Sequence, residues 1–267
     1  MRDVRRKERN RRKWPLFMIT GVLTYLLFLV ALLPAGFVWS EVERRGIVPE
    51  EIALLGVHGT VWEGGVGTMV LPEGVTAAVQ WSTAPSDVLK AHLSWDVSAQ
   101  LLGGQIDGRL SFGSRQLTVK RVRGDFSAPA VVGPFLEWPV DLTGRIALEL
   151  TSVVLTYGGR LQEMHGTVGW LNGGAGMGKA IPLGDLRAVL EESGQGGIKA
   201  TLKDTGGPLM VEGIAELQPA GRVQVEGIAG TRRSADQSLV EALQMVGRAD
   251  AAGRRKFRFS GTLNALN

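Results

Sequence analysis

LSWDVSAQL, residues 93 to 101, decides how the larger part of this chain is read. Leu93, Trp95, Val97, Ala99 and Leu101 fall on one side of an extended backbone, and Ser94, Asp96, Ser98 and Gln100 fall on the other. A period of two with one apolar and one polar face is the signature of a half-buried β-strand. Working outward, the same alternation recurs in Val75, Ala77, Val79 and Trp81, and in Ile106, Leu110 and Phe112. It continues in Ile146, Leu148 and Leu150; in Ile198, Ala200 and Leu202; in Leu209, Val211, Ala215 and Leu217; in Val223 and Val225; and in Phe257, Phe259 and Leu263.

Turn signals separate these runs: Gly103–Gly104, Gly158–Gly159, Gly173–Gly174, Gly196–Gly197 and Gly206–Gly207–Pro208. Gly158–Gly159 suits a two-residue hairpin turn, whose central residues need positive φ. A looser recurrence places a glycine ahead of alternating residues at Gly59, Gly108, Gly144, Gly166, Gly213 and Gly261, with unequal spacing. It reads as strands that begin at a turn or bulge glycine, not as a fixed-period array.

Helical patterning is scarce. Ala235 to Gly247 carries Leu239, Ala242, Leu243 and Val246 on one stripe, with Ser234 and Gln237 at capping-box spacing. A shorter helix is expected after Pro85, and one or two turns over Glu50 to Leu55. Ten or more strands with one modest helix leave many apolar faces to cover. Those faces pack on each other as a sandwich or rolled sheet, on a partner, or on lipid, and self-packing is the usual outcome.

The N-terminus differs from everything after it. Residues 1 to 15 carry a net charge of +6, so the chain's overall +4 leaves −2 on the remainder. A body at −2 has no bulk attraction for phosphate backbones, which excludes nucleic acid as a partner. Directly after the basic tail, LFMITGVLTYLLFLVALLPAGFVW, residues 16 to 39, has no charge. As one helix it spans about 36 Å, enough to cross a bilayer core of about 30 Å. Trp14 and Trp39 flank it, and the eight basic residues before it hold the N-terminus in the cytoplasm. The segment is longer than the apolar region of a signal peptide and has no convincing cleavage site, so it is read as a retained anchor.

The expected organisation is therefore a cytoplasmic basic tail over 1–15, a transmembrane helix over 16–39, a periplasmic stem over 40–55 and a periplasmic β-rich domain over 56–267. The fold class is mainly β: the N-terminal transmembrane helix, then a rolled or curved antiparallel sheet or sandwich with one or two short helices.

Chemistry is thinly represented. The chain has no cysteine, which removes thiol catalysis, thiolate metal sites and disulfides together. GGAGMGK, residues 173 to 179, matches phosphate-loop spacing, but Ala180 stands where a hydroxyl should hold magnesium and Pro182 disfavours the following helix. It reads as a hairpin loop. His58, His92 and His165 are scattered, and the acids Asp96, Asp107, Asp125, Asp185 and Asp204 fall on polar strand faces or turns. No catalytic residue, metal site or cofactor is expected, and the protein is read as a non-enzyme.

Several stretches resemble the type II secretion system protein N family. LLGVHGTVWEGG, residues 54 to 65, is the most specific, with Gly59, Thr60, Trp62 and Gly64. VQWSTAPSDVLKAHLSWDV (79–97), GRIALELTSVVLTYGGRLQEMHGTVGW (144–170), IPLGDLRAVL (181–190), DQSLVEALQMVGR (236–248) and FRFSGTL (257–263) follow in the family's order. The resemblance implies an inner-membrane accessory component of the machinery that exports folded proteins across the outer membrane. Its implied partners are the inner-membrane assembly platform and the pseudopilus, with the secretin above as a further candidate, and membrane lipids around the anchor. A weaker likeness, in the Gly-Thr-x-Trp pattern after an anchor, is to AsmA-like proteins, which handle lipid along an apolar β-groove. Gly59, Thr60, Trp62, Gly64, Trp81 and Trp95 are the expected motif or interface residues, with core packing as the plainer role for each tryptophan.

Overall fold

A computed structural model describes residues 14–45, 52–71, 74–83, 94–113, 116–132, 141–157, 161–193, 197–218, 221–245 and 247–262. Two helices open it, α1 (Trp14–Ala31) and α2 (Ala35–Arg44). Thirteen strands follow: β1 (Ala53–Gly59), β2 (Glu63–Val70), β3 (Thr76–Ser82), β4 (Ser94–Leu101), β5 (Gly104–Phe112), β6 (Gln116–Ser127), β7 (Asp141–Thr156), β8 (Leu161–Gly176), β9 (Ile181–Ser193), β10 (Gly197–Gly206), β11 (Leu209–Leu217), β12 (Arg222–Thr231) and β13 (Arg255–Thr262). A short helix α3 (Ala128–Val132) follows β6, and α4 (Gln237–Gln244) lies between β12 and β13.

All thirteen strands form one antiparallel sheet in sequence order, each paired to the next. The alternation explains the pairing. Across β3, β4 and β5 the register sets Trp81 opposite Val97 and Val79 opposite Ala99, then Trp95 opposite Leu110 and Ala99 opposite Ile106. Further on, Leu148 lies opposite Val168, Val168 opposite Ala188, Ala188 opposite Leu202, and Ala215 opposite Val225. One face is thus largely apolar from β2 to β13, and the other carries most of the charged residues. A slip of one residue in any strand would put its apolar set into water, so the register is strongly specified.

Of the two expected forms, sheet or sandwich, a single antiparallel sheet is what forms, and no second sheet faces it among the described residues. Coverage of the apolar face is local. Leu239 and Leu243 of α4 pack with Leu209 and Ala229, with Ile181, Leu183, Leu186, Val211 and Phe257 around them. A second cluster joins Val122, Leu150 and Val153, with Ile106, Val119, Leu161, Met164 and Leu190 at its margin. No large side chain among the described residues is fully buried.

Other expectations need correction. The 16–39 segment is not one helix. It breaks between Ala31 and Ala35, because Pro34 has no N–H to donate and its ring obstructs the preceding turn. The eighteen residues of α1 span about 27 Å. Among the described residues, no helix is long and apolar enough to cross a membrane. Leu54 and Leu55 belong to β1, not to a helical turn, and Ser40 to Arg44 of the expected stem continue α2. Helix α4 is shorter than expected and is entered from Asp236 without a side-chain cap, so the Ser234–Gln237 capping box does not form. Bulge glycines sit inside strands as well as at their starts: the register shifts beside Gly144 and Gly166, in mid β7 and β8. The helix expected after Pro85, the Gly158–Gly159 turn and His92 lie outside the described residues.

Candidate functional site: the tryptophan-tied junction of helix and sheet

The turn between β1 and β2, Thr60 to Trp62, is where the apolar helix meets the sheet. Gly59 and Gly64 pair at its base, and Gly59 has φ +82°, a conformation that favours glycine. Gly64 is glycine for space: a Cβ there would lie 2.8 Å from Cζ2 of Trp81. Thr60 closes the turn by donating its N–H to the Glu63 carbonyl at 2.8 Å. The Thr60 hydroxyl oxygen accepts the N–H groups of Trp62 and Glu63 at 3.3 and 3.1 Å.

A turn held away from strand ladders leaves carbonyls to satisfy. Three donors from neighbouring strands do this in succession. Trp81 of β3 donates its indole N–H to the Thr60 carbonyl at 3.1 Å, and Trp95 of β4 donates to the Val61 carbonyl at 2.9 Å. The N–H of Thr83 reaches the Trp62 carbonyl at 2.8 Å. Trp95 is buttressed edge-on by Phe112, with ring centroids 5.3 Å apart.

The same turn grips the helical segment. Trp62 donates its indole N–H to the carbonyl of Val30 at 2.8 Å, in the last turn of α1. Val61 donates its N–H to the Leu33 carbonyl at 3.0 Å, and Thr60 forms an isolated antiparallel bridge with Pro34. The Val30 carbonyl also accepts the Leu33 N–H at 3.3 Å, so the tie from Trp62 adds a second donor there, and the bond from Val61 satisfies the Leu33 carbonyl in the segment between the helices. Above it, α1 presents Phe17, Leu23, Leu27 and Phe28 as exposed side chains.

All six expected residues, Gly59, Thr60, Trp62, Gly64, Trp81 and Trp95, therefore converge on one junction. What the sequence did not disclose is the other half: Val30, Leu33, Pro34, Val61 and Thr83. The proline in the apolar run was the available signal.

On the polar face beside the junction lies an open depression of about 1060 Å³, lined by His58, Gln80, Asp96, Asp107, Arg109 and Arg123 among others. Its acids are engaged structurally. Arg109 meets Asp96 with two parallel hydrogen bonds of 2.7 and 2.6 Å, and this, reinforced by the charge of Arg121, holds the Asp96 carboxyl below the ordinary range. Gln105 donates to Asp107 at 3.1 Å, and Arg145 pairs with Asp125 on the next strands. Asp185 accepts the Asn172 N–H at 2.6 Å. His58 sits 3.0 Å through Nδ1 from the Gly56 carbonyl, and His165 is far off in β8. No group of three metal-ligating side chains occurs among the described residues. The glycines of 173–179 form the end of β8 and a tight turn into β9, as a hairpin should.

One acid departs from the expected pattern. The alternation places Asp204 opposite Leu186, on the apolar side. Burial opposes its ionisation, but Arg232 pairs with it and the N–H groups of Val211 and Gly206 donate to it, leaving its pKa lowered.

The sequence profile of the type II secretion system protein N family matches residues 50–258, from just before β1 into β13. The chain belongs to this family. It is 25% identical over 257 residues to the type II secretion system protein N of Pectobacterium carotovorum subsp. carotovorum, covering 92% of this chain and 97% of that one. It is 26% identical over 267 residues to the protein of the same name from Vibrio cholerae serotype O1 (strain ATCC 39315 / El Tor Inaba N16961), covering 92% and 94%. No solved structure matches the chain. Membership makes the protein an accessory component of type II secretion; the sheet half of the junction, from Gly59 to Trp95, lies within the matched region, and its helix half, Val30 to Pro34, precedes it.

Proposed function

We propose that the protein is a non-enzymatic accessory component of type II secretion, anchored in the inner membrane by its N-terminal apolar segment. Its sheet works in the periplasm through protein contacts. The observation that carries the anchoring is the exposed apolar surface of α1 from Phe17 onward, held at its far end by Trp62 and Val61. An apolar helix with no protein against it is stable in lipid and costly in water. Leu32 and Leu33 extend the apolar length beyond Ala31, and Phe37 and Trp39 of α2 place aromatic groups where a headgroup layer would begin. The basic residues before Trp14 orient the tail inward. The expected partners are the inner-membrane platform and the pseudopilus, with the secretin above as a further candidate.

Deleting the gene in its host tests this. Type II substrates should accumulate in the periplasm, and the full chain should restore their export while a chain without residues 1–45 should not. Normal export in the deletion strain would overturn the proposal.

A second reading is an AsmA-like lipid carrier: among the described residues, no second sheet covers the apolar face. Lipid copurifying stoichiometrically with the full chain, measured by mass spectrometry after detergent exchange, would support it. A lipid-free preparation that retains its fold would exclude it.

A further inference from the structure

An open thirteen-stranded meander has two edges, and here they are unlike. The β1 edge leads directly into the junction: α2 lies against β1, and Thr60 bridges to Pro34. Among the described residues, the β13 edge is bare over most of its length. β13 pairs with β12 through eight consecutive residues with no register shift, from Ala229 opposite Arg255 to Arg222 opposite Thr262. On its outer side, among the described residues, one isolated bridge from Ala249 reaches Arg255, and the chain then turns away through Asp250. Among the described residues, no strand lies on the outer side of Lys256 to Gly261. In an antiparallel ladder every second residue directs its N–H and C=O to each side, so this stretch offers a row of unpaired backbone groups.

Of the usual devices for blunting an edge, this one carries charge, in Lys256 and Arg258, and lacks the steric ones. There is no proline and no bulge, and the side chains follow the sheet's alternation. Phe257 faces the apolar side and packs against the α4 cluster, and Phe259 beside it is 57% exposed. Lys256 and Arg258 face the polar side. Arg258 is 3.2 Å from Glu226 of β12, but both side chains are largely in water, so it stays available to an outer neighbour.

We infer that the β13 edge from Lys256 to Gly261 is a strand-addition site for an extended segment of another protein that alternates acidic and apolar residues. Backbone bonds supply the attachment, acids oppose Lys256 and Arg258, and apolar side chains extend the row of Phe257 and Phe259. A second copy of the chain is disfavoured as occupant. Antiparallel pairing of two β13 edges centred on Phe257 sets Lys256 of one copy against Arg258 of the other, and centring on Arg258 sets that residue against its own copy. The inference rests on the reading that the sheet works through protein contacts.

The test uses the full chain in detergent and two fluorescent peptides, EVEVEVE and KVKVKVK, followed by anisotropy. The acidic peptide should bind roughly tenfold tighter than the basic one. Alternate backbone N-methylation should abolish binding, and the double variant K256E/R258E should reverse the preference. Absence of binding, equal affinity for both peptides, or indifference to N-methylation would overturn the inference. Because the chain has no cysteine, Ser260→Cys reports self-pairing directly: a disulfide-linked dimer through position 260 would assign the edge to a second copy instead. Failure here alongside lost secretion in the deletion strain would remove the edge site and leave the secretion role standing.

Discussion

The indole N–H of Trp62 donates to the carbonyl of Val30 across thirty-two residues of sequence, at 2.8 Å, and so ties the end of the apolar helix to the first turn of the sheet. Trp81 and Trp95 brace that turn from below through the Thr60 and Val61 carbonyls. The three tryptophans form one joint between helix and sheet.

Trp62→Phe keeps the ring and removes the donor. It should weaken the joint by about 1 kcal/mol without unfolding the sheet. Hydrogen exchange at the Val61 amide, which donates to the Leu33 carbonyl, should then rise about fivefold, while amides of β7 and β8 stay unchanged. Unchanged exchange at Val61 would count against the joint.

The α4 lid carries much of the C-terminal packing, since Leu239 and Leu243 are 4% and 7% exposed. Leu239→Ala should cost about 2–3 kcal/mol, the lower part of the range for buried leucines, because a single-layer site is readily rehydrated. Urea unfolding should show a lower midpoint with little change in slope. A loss under 0.5 kcal/mol would mean the helix is not docked.

Asp204 and Asp96 both have pKa values lowered from the ordinary 3.8 by their arginine partners. A depressed folded-state pKa contributes stability above the ordinary value, and that contribution is lost as pH falls through the folded value. Arg232→Met should therefore destabilise the chain by about 1 kcal/mol at pH 7, with the gap to wild type closing as pH falls below about 4. A gap that widened in acid would contradict the pairing.

Gly166 stands at a bulge with φ +148°, and a Cβ there would come 2.5 Å from Cα of Leu150 and closer still to the Glu149 carbonyl oxygen. Gly178, in the open turn after β8, has φ +77° with nothing within 4 Å. Gly166→Ala should prevent soluble folding of the sheet, whereas Gly178→Ala should cost only the roughly 1–2 kcal/mol of a left-handed backbone. Circular dichroism and proteolysis of the two variants would distinguish them; equal tolerance would argue against the β7–β8 register.

The strands were legible because period-two alternation fixes both the element and its face. Val97, Ala99, Leu148 and Val225 all lie on the side their spacing assigns. The absence of a second sheet was not legible, because an alternating strand looks the same whether its apolar face meets another sheet, a helix or a partner. The helix break at Pro34 was visible as a residue, but an apolar run of twenty-four positions outweighs one proline in any reading by composition. Asp204 was invisible as a paired acid, since Arg232 reaches it from across two strands. The six junction residues were found through the family's pattern of Gly, Thr and Trp. Their convergence came from pairings that sequence order alone does not specify.

Exposure of the sheet to the periplasm can be read at one residue. In a chain free of native cysteine, Ser260→Cys on β13 should react with a membrane-impermeant maleimide in intact spheroplasts, to the same extent as after lysis. Labelling that appears only once the inner membrane is broken would put the sheet in the cytosol and contradict the account at its root.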